Sequence, residues 1–323
     1  MKRIALIATG VVLSATLHAA LAADTYPNRP IRLIDAFPPG GPSDLVARAI
    51  NQKLSEALGQ TVVVDNRGGA AGALGCDLVA KAAPDGYTLL LGPSGALTIQ
   101  PTLNPKLPYK PQRDFVTITQ LTNGPQVIAV NPSVAAKSVQ ELINLAKAKS
   151  GQLNYASGGA GTANHIAMEA FKLAAGINVI HVPYKGTGPA LTGVITGEAQ
   201  MIISSLLPAL PHAKSGKLRV LAVTSTARSA VLPDVPTASE SGLPKFETSS
   251  WHGILAPAGT SRAIVAKLHD KFVEVLRQPD IKERLNAQGL DVVASTPEQF
   301  AAHIRAETDK YARVIKQIGL KSE

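Results

Sequence analysis

The segment Leu33–Asp44, LIDAFPPGGPSD, constrains the fold of this 323-residue chain more than any other. A run of strand formers breaks at Pro38 and Pro39, turns on Gly40 and Gly41, and reaches Ser43, a favourable helix N-cap. Apolar residues then recur at helical spacing from Leu45 to Leu58, and Gly59 marks the stop, which predicts a helix from Asp44 to Leu58. A strand, a glycine turn and a helix start leave several backbone N–H groups unpaired at one point. The helix dipole favours negative charge there, so the turn can cradle a carboxylate or phosphate.

A second turn of the same kind spans Tyr155–His165, YASGGAGTANH, again between a predicted strand and a predicted helix. Around these two turns, strand and helix patterns alternate. Ile31–Phe37, Thr61–Asp65 and Thr88–Leu91 read as strands separated by helices, a βαβαβ start that implies a parallel sheet. Val127–Val130 reads as a crossing strand that opens a second series. Its strands are Leu153–Ala156, Val179–Val182, Met201–Ile203 and Val220–Thr224, and its helices begin at Ser138, Asn164 and Pro189.

A turn-rich connector, Asp234–Ser249, leads to helices capped by Ser261 and by a Thr296-Pro297-Gln299 box. These last helices need a sheet face to cover. The economical arrangement returns them to the first lobe, with residues 23–124 and 247–323 as lobe 1 and 125–246 as lobe 2. One cradle then lies in each lobe, and the two can face each other across a cleft at the carboxyl ends of parallel strands.

The amino terminus has a basic start at Lys2-Arg3, an apolar run from Ile4 to Leu17 and Ala20-Leu21-Ala22 as a small-x-small cleavage pattern. Residues 1–22 therefore read as a secretory signal peptide, and the mature chain as an exported soluble protein of about 300 residues. Composition is ordinary for a globular protein, 45% hydrophobic and 17% charged. The basic excess is spread over many segments without an arginine-rich block, which argues against nucleic acid. Cys76, a lone cysteine in an apolar helical stretch, reads as a buried small hydrophobe.

Catalytic signatures are missing. Ser94 is followed directly by Gly95, so it has no G-x-S-x-G setting, and the phosphate-loop pattern does not occur. No His/Cys cluster has metal-ligand spacing, and no cofactor motif is complete: Gly159-Ala160-Gly161 has Asn164 where a third glycine belongs. Ser94 can instead offer a hydroxyl to a ligand, and the turn at Tyr184–Pro189 can extend the second cradle. His165, at a helix start beside a glycine loop, can hydrogen-bond a ligand. Arg67 suits a carboxylate and can equally lie in solvent. Trp251 can line the cleft or pack under a hinge.

In its ordered landmarks the chain resembles the extracytoplasmic solute-binding receptors of tripartite tricarboxylate transporters, the Bordetella uptake gene type. The landmarks include Phe37-Pro38-Pro39-Gly40-Gly41 with Ser43-Asp44, Ala83–Thr88, Gly159-Ala160-Gly161-Thr162 with His165, Val182–Gly186, Leu232–Thr237 and Leu255–Thr260. The resemblance implies an α/β, type II periplasmic-binding-protein fold. Two lobes, each a mostly parallel sheet flanked by helices, would close on a ligand about a two-stranded hinge. It further implies a periplasmic receptor, monomeric and without enzymatic activity or cofactor. Such a receptor holds a small organic carboxylate largely on backbone N–H groups and waters of two glycine loops, here Phe37, Pro38, Gly40, Gly41, Ser43 and Asp44 and Ser157, Gly159, Ala160, Gly161, Thr162 and His165, and presents it to membrane components of the transporter. A sensor docking on a signalling partner would use the same cleft, as would an exported hydrolase acting through Ser94 or His165.

Two departures from the family pattern stand out. Where members often carry an aspartate after the strand ending near Ile203, this chain has Ser204-Ser205. Loss of that charge makes Ser204 a candidate contact and points to a dicarboxylate or aromatic carboxylate instead of an amino-bearing solute. The other departure, Asn66–Gly72, changes the glycine spacing of a first-lobe loop.

Overall fold

The computed structural model describes residues 26–320, so the segment read as an export signal lies outside the described residues. Its strands in chain order are β1 (Ile31–Asp35), β2 (Val62–Asn66), β3 (Thr88–Pro93), β4 (Phe115–Val130) and β5 (Asn154–Ser157). They continue as β6 (Ile180–Pro183), β7 (Met201–Ser205), β8 (Arg219–Val223), β9 (Ser249–Pro257) and the short β10 (Asp291–Val292). β1 sits between β2 and β3 in parallel register, as the βαβαβ start requires. β9 then adds antiparallel to β3, and the first part of β4 adds antiparallel to β9. The second half repeats this order: β5 lies between β6 and β7 in parallel, and the far part of β4 is antiparallel to both β7 and β8.

β4 is therefore one 16-residue strand shared by both halves. The sequence reading found only its last four residues, because Gly124-Pro125 interrupts the strand pattern. The break is tolerated where the strand changes partners: Pro125 lies opposite Ser249 and Gln126 opposite Ser205. The chain returns beside this point. Thr224 Oγ1 accepts from the Gln126 N–H at 2.9 Å and donates to the Thr248 carbonyl at 2.7 Å, tying the two crossings together.

Helix boundaries follow the chemistry of the ends. Helix Pro42–Leu58 stops at Gly59 in the left-handed conformation, and helix Ala163–Ala175 stops likewise at Gly176. Ser138 accepts from the Glu141 N–H at the start of Val139–Ala148, while the Glu141 carboxylate accepts from Lys137, one residue short of a reciprocal box. Thr296 and Gln299 do form the full reciprocal box at the start of Pro297–Ile318. The serine expected to cap the first helix does not. Gly41 is the N-cap, because Pro42 starts the helix one turn position earlier and the Ser43 hydroxyl is drawn to Asp35. The helix Leu206–Lys214 was not anticipated, since Pro208 and Pro211 obscure its pattern.

The carboxy-terminal helices Arg262–Leu276, Pro279–Asn286 and Pro297–Ile318 pack on the first sheet. Leu268, Phe272 and Val275 join Ile31, Leu33 and Leu91 in one buried cluster. A second cluster, with Tyr155, Phe171, Met201 and Leu221, fills the other half. Cys76 is fully buried, and burial pushes its thiol up to about 12, so it behaves as the inert apolar residue expected. No helix among the described residues is long and apolar enough to cross a membrane.

β9, which the sequence reading did not identify as a strand, lies centrally between β3 and β4. Trp251 is fully buried edge-on to Phe300 at 5.6 Å, with its indole N–H directed at Glu307 at 3.4 Å, so it packs and does not line the cleft. Gly253 is required by close approach: a Cβ there would lie 2.1 Å from the Phe300 ring. Gly253→Val should lower stability by about 3 kcal/mol, through overpacking against a ring with no room to move. Urea unfolding that left the midpoint unchanged would show that β9 does not pack under Phe300.

His252 is 1% exposed and contacts Thr122 Oγ1 at 3.3 Å; burial pulls its imidazole down to about 4. Between pH 6.5 and 4 the unfolded chain therefore takes up a proton at this residue that the folded chain refuses. The stability this histidine contributes is present above pH 6.5 and is lost as pH falls through that window. Asp35, pushed up to about 7 by burial, acts in the opposite sense, so a difference measurement is needed. The stability of the parent minus that of His252→Gln should shrink steadily from pH 7 to pH 4; a constant difference would contradict a buried neutral imidazole.

Candidate functional site

The first cradle is organised by a residue that sequence reading passed over. Asp35, at the end of β1, is fully buried and accepts three hydrogen bonds: from the Phe37 N–H at 3.1 Å, the Ser43 hydroxyl at 2.7 Å and the Asn66 amide at 3.1 Å. These bonds fix the turn leading into helix Pro42–Leu58. Asp44 is likewise occupied within the loop. Its carboxylate accepts from the Gly40 N–H at 3.0 Å and from Arg48 at 2.9 Å. Burial works against its ionisation, but the Arg48 and Gly40 hydrogen bonds hold its carboxyl below the usual range. The acidic residue at this helix start is thus neutralised before any ligand arrives.

The second cradle is shaped in the same way. Ser157 Oγ accepts from the Gly159 N–H at 3.1 Å and pairs with His181 Nε2 at 2.6 Å. Gly161 adopts a φ of +73°, which only glycine takes without strain, and its N–H donates to His165 Nδ1 at 3.1 Å. That bond requires a neutral ring carrying its proton on Nε2. Burial pulls His165 down to about 4, helped by His181 stacked at 4.3 Å, so the ring is neutral at ordinary pH. His165 and Glu169 do not form the helix-surface pair their spacing suggests. Glu169 accepts instead from the Tyr155 hydroxyl and from Lys172.

The loops of the two halves meet. Gln100, just after a π-helical turn at Gly95–Ile99, donates from Nε2 to the Gly161 carbonyl at 3.2 Å. A Cβ on Gly186 would lie 3.2 Å from the Pro38 ring. Two cavities remain between them. The larger, about 720 Å³, takes in Phe37, Pro38, Gly159, Ala160, Gly161, His165 and Tyr184 from the expected residues. To these it adds the Gly68–Gly72 loop, Gln100, Leu103, Lys185 and Leu320. The smaller, about 40 Å³, takes in Phe37, Ser43, Ser94 and Thr162 from the expected residues. It also takes in Asn164 and Thr187, which lie in the second turn and its extension as read from sequence, Ser205 beside the expected Ser204, and Gln126, Ser250 and His252, which were not anticipated as lining.

Gly40, Gly41, Asp44, Ser157 and Ser204 line neither cavity. The first four shape the loops from behind or beside. The Ser204 hydroxyl donates to the Ser205 carbonyl at 3.2 Å, and it is the neighbouring Ser205 that belongs to the lining of the smaller cavity. Arg67 pairs with Asp65 at 2.9 Å and contributes to neither lining.

Four helices begin at the smaller cavity. Ser43 lies in the first turn of Pro42–Leu58, Asn164 in that of Ala163–Ala175 and Thr187 in that of Thr187–Thr196, while Ser205 immediately precedes Leu206–Lys214. Each start carries a partial positive charge of about half a unit and N–H groups without intrahelical acceptors. No aspartate or glutamate lines either cavity, and Lys185 at the larger one is the charged lining residue. The arrangement suits capture of an anion by fixed dipoles. Among the described residues no cluster of His, Cys, Asp and Glu is placed to hold a metal.

A sequence profile of the family described as "Tripartite tricarboxylate transporter family receptor" matches residues 46–320. Protein BugT of Bordetella pertussis is 39% identical over 311 residues, covering 96% of this chain and 95% of its own. Among solved structures, Rpa4515 of R. palustris with adipate has a TM-score of 0.90 and 32% identity, covering 92% of this chain and all of its own. MatC of Rhodopseudomonas palustris with bound malate has a TM-score of 0.86 and 33% identity, covering 90% and 100%. These likenesses make the fold that of the periplasmic binding proteins, as the landmarks implied. The chain belongs to the tripartite tricarboxylate transporter receptor family, whose members are periplasmic solute-binding proteins.

Proposed function

We propose that this receptor captures a small organic carboxylate between its two lobes and delivers it to the membrane components of a tripartite tricarboxylate-type transporter. The observation that carries the reading is the convergence of four helix starts on a cavity with no acidic lining. Donors fixed in advance and shielded from water bind an anion without the reorganisation that bulk solvent would need. Relatives bound to adipate and to malate support the carboxylate assignment.

Residues 1–22 act in this reading as the export signal. Residues 23–124 with 247–323 form one lobe and 125–246 the other, closing about the crossings tied at Gln126, Thr224 and Thr248. Contacts from both lobes are needed for a ligand to favour closure. The 720 Å³ cavity beside the anion site has room for a dicarboxylate or an aromatic carboxylate. An amino-bearing solute is disfavoured, because its ammonium would be buried with no carboxylate among the lining residues to pair with.

A thermal-shift panel of mono-, di- and tricarboxylates, aromatic acids and amino acids on the mature chain tests this directly. A true ligand at a hundred times its dissociation constant adds about 2.7 kcal/mol and raises the melting temperature by several degrees. A response confined to dicarboxylates or aromatic acids is expected; silence from every carboxylate would sink the reading. Gly161→Leu should abolish the shift with the circular dichroism spectrum unchanged, because its Cβ would lie 2.3 Å from Gln100 Nε2. Undiminished binding by this variant would remove the second loop from the site.

A further inference from the structure

Besides the loops at the cavities, one apolar cluster joins the two halves. Ile99 and Leu103 enter it from the turn and short helix that follow β3, and Tyr311 and Ile315 from the end of helix Pro297–Ile318. The second half contributes Ile166, from the first turns of helix Ala163–Ala175. Ile166 is 1% exposed, so it is almost completely enclosed. The halves approach closely around it. Gln100 Nε2 donates to the Gly161 carbonyl at 3.2 Å, and a Cβ on Gly95 would lie 3.2 Å from the Ala163 nitrogen. Leu103 also lines the larger cavity, so the cluster abuts it.

This contact differs from the crossings at Gln126, Thr224 and Thr248, where the chain itself passes between the halves. Here the two sides are joined by side-chain packing and the Gln100 bond. Helix Ala163–Ala175 begins within the glycine turn that holds Gly161, so that turn and Ile166 move as one piece. Drawing the turn away from Gln100 would withdraw Ile166 and expose it, along with the faces of Ile99, Tyr311 and Ile315 that it covers. Water opposes that exposure in proportion to the apolar area. Parting of the halves therefore works against this cluster whatever solute is bound.

We propose that Ile99, Leu103, Ile166, Tyr311 and Ile315 form an apolar latch that holds the two lobes together over the cavity. This latch presupposes the two-lobed receptor reading and adds to it the element that sets how readily the lobes part. The affinity of a receptor scales with the fraction of chains in the binding-competent form. Ile99, Ile166, Tyr311 and Ile315 line neither cavity, so loosening them lowers that fraction by one factor for every solute.

Small-angle scattering of the mature chain without added solute tests the latch. Ile166→Ala and, separately, Ile315→Ala should enlarge the radius of gyration relative to the unmodified chain, and Ile166→Val, a milder truncation, should enlarge it less. Titration with adipate and with malate gives the second measurement. Each alanine variant should weaken whichever of these acids binds by roughly tenfold, and by the same factor where both bind. A radius unchanged in every folded variant would overturn the proposal, since a lower melting temperature alone would mark the cluster as ordinary core. Weakening confined to one of two bound acids would overturn it too, by making these residues part of the ligand contact. Silence from both acids and from the wider carboxylate panel would sink the receptor reading, while the scattering comparison still decides the latch. Ile166→Val keeps that comparison open to refutation if the alanine variants do not fold.

Discussion

The cleft depends on one strand being hydrogen-bonded into both halves of the molecule. Residues 115–125 of β4 pair with β9 and residues 126–130 with β7 and β8, so neither sheet can shift along this strand without breaking its ladder. Parallel strands on either side then end at a common level. The loops that follow β1, β5, β6 and β7 meet there, and the helices they lead into begin at the same small volume. The return of the chain beside Gln126, held by Thr224, places the second crossing next to the first.

The pocket needs no buried cation to hold an anion. Removing a guanidinium from water costs several kcal/mol, which its pairing with a ligand must first offset. Backbone N–H groups at helix starts are already oriented and already out of solvent, so they contribute without that cost. The charges that do lie near the loops are neutralised locally. Asp44 is matched by Arg48, and Asp35 is enclosed by three donors. These residues set the loop shape, and the field at the pocket is left to the dipoles. His165 serves a related purpose in the second loop, where its neutral ring accepts the Gly161 N–H and so fixes the loop's shape.

Legibility from sequence divided along the range of the interactions involved. Glycine turns, the Thr296 capping box and the αL stops at Gly59 and Gly176 are decided within a few residues, and all were readable. So were both cradles, because a strand, a glycine turn and a helix start follow one another in the chain. Ser43 was misjudged as a cap because its real partner, Asp35, lies eight residues back across the turn. β9 and the first part of β4 went unread. Their pairing joins segments more than a hundred residues apart, and Gly124-Pro125 masks the strand pattern locally. Ser204 was chosen over Ser205 for a similar reason: one position along a strand reverses the face, and the register of β7 against β4 is not written locally.

What the sequence alone determined is the alternation of elements, the family, and the presence of two N–H-rich turns, because helix starts, glycine conformations and ordered motifs are local chemistry. Only the tertiary structure decided which side chains stand in the pocket. Gln126, Asn164, Thr187, Ser205, Ser250 and His252 come from five separate segments, the last two from β9. They share one cavity because β4 and β9 thread between the parallel strands, and strand register, a long-range property, chooses the face each side chain presents.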